Sequence, residues 1–194
     1  YWESSQGAAG GEVGWYSEDC NVSTSGGGQS NGAGNWNINF NGRFHANPIG
    51  GTLTTSSDQT AWAFTTGDVI MCAYDASTKK IWWGYNGTWY NSGNPAAGSN
   101  HTQQIAETDF DEVLPTAATY TSGTDLWLNF GQDPTFGDQV TYGTVYNDTS
   151  GYGEFKYQPP SGFKAICTAN LPDVPIKDPG DYFRTIRYAG TSND

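Results

Sequence analysis

Apolar residues in this chain come in short runs, and clusters of Gly, Asn, Ser, Thr and Asp cut the runs apart. That alternation marks an all-β chain with many loops. The runs predict strands at residues 1–4, 12–17, 35–41, 59–64, 68–75, 80–86, 112–120 and 125–130. The run 68–75 is the clearest. Val69, Met71 and Ala73 fall on one face of it, and Ile70, Cys72 and Tyr74 on the other. A strand that is apolar on both faces belongs in the middle of a sheet, covered on both sides. The short link Ala76-Ser77-Thr78-Lys79 predicts a hairpin to the next strand. Asn86-Gly87 predicts another tight turn.

Three long stretches are read as loops. Residues 23–34 are almost wholly Ser, Gly, Asn and Gln, and residues 91–100 carry Pro95. Residues 132–153 form the third, long and irregular. A boundary is expected near Pro159-Pro160, where the composition turns to Lys, Pro and Asp. Residues 1–158 are therefore read as a β-sandwich, and 159–194 as an extended C-terminal connector or assembly tail.

Composition narrows the class. The 194 residues include 26 glycines, are 15% aromatic and 14% charged, and hold Leu only at positions 53, 114, 126, 128 and 171. A helical bundle needs far more Leu, Ala, Glu and Lys. There is no apolar run of about 18 residues, so membrane insertion is not expected. The net charge of −12 makes nucleic acid an unfavourable partner, because phosphate affinity comes from Lys and Arg. Four of the eight cations, Lys164, Lys177, Arg184 and Arg187, lie near the C-terminal end. Cys20, Cys72 and Cys167 are odd in number and do not form a disulfide framework. Cys72, on the central strand, is expected to be a packed thiol.

Few motifs carry chemistry. Gly28-Gln29-Ser30-Asn31-Gly32 has the spacing of a nucleophile elbow but lacks the strand before it and the helix after it. His45 and His101 stand far apart with no second ligand at zinc spacing. Asp109-Phe110-Asp111-Glu112 lacks the spaced ligands of a calcium loop. No strand carries two Glu on one face at hydrolase spacing. No catalytic residue, metal site or cofactor is therefore expected. Asn21, Asn86, Asn100 and Asn147 open glycosylation sequons, which matter only in a glycosylating compartment. Trp36, Phe44, Trp89 and Tyr90 stand beside Gly and Asn. With His45 they are the expected ligand contacts, since aromatics beside amides suit glycan and peptide binding.

A family resemblance sharpens this picture. Gly67-Asp68-Val69-Ile70-Met71-Cys72-Ala73-Tyr74-Asp75, followed by Lys80-Ile81-Trp82-Trp83-Gly84-Tyr85-Asn86-Gly87-Thr88-Trp89, closely resembles the SPRY domain. Tyr1-Trp2-Glu3, Glu12-Val13-Gly14-Trp15 and Leu128-Asn129-Phe130-Gly131 resemble further SPRY strands in the right order. The resemblance covers about residues 1–131. It implies a bent sandwich of two antiparallel sheets, similar to concanavalin A-like folds, and a non-catalytic module that binds partners through loops. SPRY domains carry strand material ahead of the Tyr-Trp-Glu segment. The chain opens on Tyr1 rather than Met, so it is expected to be a fragment, a processed product or a partial reading of something longer, and the open edge or uncovered face at its first strand is expected to be covered by residues upstream or by another subunit. Pro160-Ser161-Gly162-Phe163-Lys164-Ala165 and Thr168-Ala169-Asn170-Leu171-Pro172, then Tyr182-Phe183 and Tyr188-Ala189-Gly190, resemble a phrase that follows SPRY modules in structural proteins of marine bacteriophages.

The expectation is a SPRY-like module of a virion or extracellular fibre protein. Its partners would be a protein or cell-surface glycan and neighbouring subunits. The contact loops would be 23–44 and 88–100. Two alternatives stand beside it: a fibre or capsid subunit without a ligand, and a glycan-active lectin or hydrolase.

Overall fold

The computed structural model describes residues 1–7, 10–18, 20, 34–48, 54–55, 62, 64–105, 112–119 and 122–172. Among the described residues eleven strands form two antiparallel sheets that pack face to face, and there is no α-helix. They are β1 (Trp2–Gln6), β2 (Gly11–Ser17), β3 (Asn35–Asn39), β4 (Phe44–Asn47), β5 (Thr54–Thr55), β6 (Val69–Asp75), β7 (Lys80–Tyr85), β8 (Thr88–Trp89), β9 (Gln103–Gln104), β10 (Val113–Thr119) and β11 (Leu126–Asn129). The first sheet runs β11-β1-β6-β7-β8, with β9 also paired to β7, and the second runs β10-β2-β3-β4-β5.

Period-2 alternation sets the core. Trp2, Cys72 and Trp83 share one cross-strand row of the first sheet and face the second. Val13, Trp15, Trp36 and Ile38 meet them from β2 and β3. The Trp2 ring contacts Trp15 and Trp83 edge to face, with centroids 6.1 and 5.9 Å apart. A fully buried side chain such as Ile38 contributes about 1.5–3 kcal/mol by leaving water. Gly14 lets β2 and β3 close up, since a Cβ there would stand 2.5 Å from the Trp36 carbonyl oxygen and from the Asn37 Cβ.

The expected central strand is β6, between β1 and β7, buried on both faces. The hairpin through Ala76–Lys79 is present. Asn86 and Gly87 both have positive φ, 44° and 87°, as a two-residue hairpin turn requires. Strands β4, β5, β8 and β9 had no sequence signal of their own, because each is too short or too polar to alternate visibly. The expected strand at 59–64 falls largely outside the described residues.

The structure corrects the expectation of an open edge or uncovered face at the first strand. Strand β1 pairs with β11 on one side and β6 on the other. Its outward row runs Asn129, Glu3, Met71, Gly84 and Trp89 across the sheet. Segment 130–172 lies over this face. Phe155 and Ala165 are buried there with Tyr1, Met71, Ala73 and Trp82, and Phe136 and Val140 pack on Val69. Of the expected connector, Ala165 is buried against this face, and Phe163 and Cys167 pack beside it. Beyond residue 172 the expected tail lies outside the described residues.

Glu3 fixes this cover. Its carboxylate accepts the backbone N–H groups of Lys156 (3.0 Å) and Tyr157 (2.8 Å), the Tyr1 hydroxyl (2.8 Å) and the Asn129 amide (3.4 Å). Burial pushes the Glu3 carboxyl above its usual range, and these donors oppose the rise. The outer face of the second sheet is polar and also buried, with Glu12, Asn35, Asn37, Asn39 and His45 at its centre.

Candidate functional site

Three segments converge at one end of the first sheet around a cleft of about 600 Å³. Each is held by the sequence immediately beneath it.

The first wall is the β6–β7 turn. Asp75 ends β6 and caps the turn, accepting from Ser77 N (2.9 Å), Ser77 Oγ (2.7 Å), Thr78 N (3.4 Å) and Thr78 Oγ1 (2.6 Å). Burial opposes ionisation, but the bonds from Thr78 and Ser77 outweigh it and hold the carboxyl below its ordinary range. The lone lining carboxylate among the described residues is therefore ionised and engaged by its own turn.

The second wall is the 3-10 turn Pro95–Ala97. Asn94 caps it, its side chain accepting from Ala97 N at 3.1 Å, and Gly98 ends it at φ 67°. Lys80 Nζ donates to the Gly98 carbonyl at 3.1 Å, and Trp82 Nε1 to the Ser99 carbonyl at 2.8 Å.

The third wall is 161–166 of the covering segment. Tyr1 N donates to the Lys164 carbonyl at 2.7 Å, and Ala165 N to Asp148 Oδ2 at 2.9 Å. The Phe163 ring meets Trp82 edge to face at 5.9 Å. Trp82, itself buried, therefore carries both the second and the third wall. Trp15 and Tyr74 line the inner end with their rings 4.7 Å apart, and Trp15 Nε1 donates to the Cys72 thiol at 3.1 Å. Burial pushes that thiol up to about 12, so Cys72 is a packed, protonated thiol.

The predicted contact residues lie elsewhere. Trp36 and Phe44 are core rings on β3 and β4, 1% and 5% exposed, and are not presented on loops. Polar neighbours made them look like loop aromatics, but those neighbours are the alternate, outward positions of strands. His45 is buried on the outer face of the second sheet, where burial first and Arg43 second lower its pKa. Trp89 is half-buried against Tyr1, and Tyr90 against Phe44. None of the five is among the residues that line the cleft. Of the two predicted contact loops, 88–100 supplies Pro95, Ala96 and Gly98, while residues 23–33 lie outside the described residues. Sequence reasoning missed Tyr74, Ser77, Ser161, Phe163 and Lys164. The turn signals Asp75-Ala76-Ser77 and Pro160-Ser161-Gly162 mark those places, but only the fold brings them together.

Among the sequons, Asn86 is engaged at both ends, its Oδ1 accepting from Val69 N and its Nδ2 donating to Asp68. Asn100 is exposed and donates to the Ser92 carbonyl, and Asn147 donates to the Gly153 carbonyl. Asn21, the Gly28–Gly32 motif and residues 109–111 lie outside the described residues. Among the described residues no three His, Cys, Asp or Glu side chains gather as a metal site would need.

The chain matches no model of a known protein family, and no curated protein matches it.

Proposed function

We propose that the chain is a non-catalytic binding module of the SPRY-like sandwich type, and that it holds its ligand in the cleft between the β6–β7 turn, residues 95–98 and residues 161–166. One observation carries this reading. Three segments distant in sequence are each fixed by side chain-to-backbone hydrogen bonds and together frame a concave, partly aromatic space. Preformed concavity of this size, with a few polar groups at its rim, is the usual form of a ligand site. The engaged state of Asp75 favours binding over hydrolysis, which needs two available carboxyl groups. The resemblance to phage structural proteins supplies the setting, adhesion or subunit contact in a virion or extracellular fibre.

The test is a screen of immobilised glycans and peptides with the chain and with Ala96→Trp. Ala96 is exposed on the cleft wall, so an indole there fills the space without entering the core. Binding that Ala96→Trp abolishes, and that Tyr142→Ala on the exposed surface leaves intact, supports the proposal. Binding indifferent to Ala96→Trp overturns it.

A further inference from the structure

We infer that the cleft takes an uncharged pyranose, one or two units of a neutral glycan. This rests on the proposed function and names the ligand class of that same site.

The first argument is the backbone. An extended peptide bound by strand addition needs a free strand edge. The cleft's walls are a hairpin turn, a 3-10 turn and an irregular segment, so no ladder is offered there. Asp75, Asn94 and Asp148 already accept the backbone N–H groups of Ser77, Ala97 and Ala165 in those walls.

The second argument is the ring surface. Tyr74 and Phe163 are half-buried and line the cleft, one at its inner end and one on its third wall. Each is in contact with a buried indole, Tyr74 with Trp15 and Phe163 with Trp82. Rings fixed in this way lose little freedom on binding, and aromatic surface in a cleft lining suits the apolar C–H face of a sugar ring. Ser161 supplies a hydroxyl to the lining, and the Ser77 hydroxyl, which donates to Asp75, adds an acceptor.

The third argument is charge. The chain carries −12, a field that works against anionic sugars at a distance. Inside the cleft Lys164 is exposed, and no ion pair of its ammonium is present among the described residues. That ammonium works against a cationic peptide group at short range. One anion and one cation in the lining leave a neutral ligand as the class that neither field opposes.

The experiment is saturation-transfer NMR with methyl glucoside, methyl galactoside and methyl mannoside, glucuronic acid, and a lysine-bearing tripeptide as probes. It uses the chain, Ala96→Trp, Lys164→Gln, and Phe163→Leu, which keeps an apolar contact on Trp82 and removes the ring face. The expected result is saturable binding of a neutral glycoside that does not change with salt. It is weakened about tenfold by Phe163→Leu and lost in Ala96→Trp. Preference for glucuronic acid with dependence on Lys164, or binding of the tripeptide alone, overturns the sugar class. If Ala96→Trp blocks that binding, the cleft still stands as the site. Glycoside binding that Ala96→Trp leaves unchanged overturns both readings. Binding of no probe overturns the sugar inference and leaves the screen with Ala96→Trp to judge the cleft.

Discussion

Glu3 Oε1 accepts the backbone N–H of Tyr157 at 2.8 Å, joining the first strand to a segment 154 positions further along the chain. The neighbouring N–H of Lys156 meets Oε2 at 3.0 Å. One buried carboxylate thus takes the two N–H groups that follow the single bridge between Phe155 and Tyr146. Glu3→Ala leaves both N–H groups without an acceptor. Each orphaned buried donor costs about 1–3 kcal/mol. Urea unfolding is expected to show a loss of about 3 kcal/mol, against about 1 kcal/mol for Glu3→Gln, which keeps one acceptor oxygen.

Asp148 holds the same segment from outside the sheet. Burial raises its pKa, but the bonds from Ala165, Tyr152, Asn170 and Ser150 outweigh burial and hold the carboxyl below its ordinary range. A depressed folded pKa contributes stability that is present above the unfolded value and lost as pH falls through the folded one. Glu3 has the opposite sign. Its raised pKa gives a contribution present below the unfolded value and lost as pH rises through the folded one. Unfolding measured from neutral pH down through the carboxylate range is expected to show the Asp148→Asn deficit shrinking as the pH falls. A deficit that grows toward acid contradicts this assignment.

Trp82 is a brace rather than a contact. Trp82→Phe removes the N–H that holds the Ser99 carbonyl and keeps a ring beneath Phe163. The expected cost is about 1 kcal/mol of stability. Hydrogen exchange should be faster at the Ala97 and Gly98 amides, which close the 3-10 turn, and unchanged at the β1 amides.

Gly14→Ala tests the close approach of β2 and β3. The Cβ would meet backbone and Cβ atoms at 2.5–2.7 Å, so the strands themselves must shift. A loss of about 1–3 kcal/mol is expected in thermal or urea unfolding. Gly98→Ala meets nothing within 4 Å and should cost only the strain of its φ of 67°, about 1 kcal/mol.

The sandwich was legible because its longer strands alternate. Asp68–Asp75 showed two apolar faces, and the fold buries both. The polar stretch Asn35-Trp36-Asn37 alternates as well and reads as a strand, but its period does not say which face is covered, and Trp36, expected as a contact, is core. The cleft was illegible for a different reason. Tyr74, Pro95 and Phe163 have no common period or motif, and they meet because Trp82 packs one wall and hydrogen-bonds another. Nor does the sequence show that Glu3 is buried. A carboxylate beside Trp2 reads as solvent-facing until the segment that covers it is in place.

The most direct test of the central claim is amide shift mapping on the isotope-labelled chain, with the tightest ligand of the array screen. The account predicts joint shifts at Ser77, Gly98 and Gly162, one on each wall, with the β10 amides unmoved. Shifts confined to the Asn86–Tyr90 region or to β10 would contradict it.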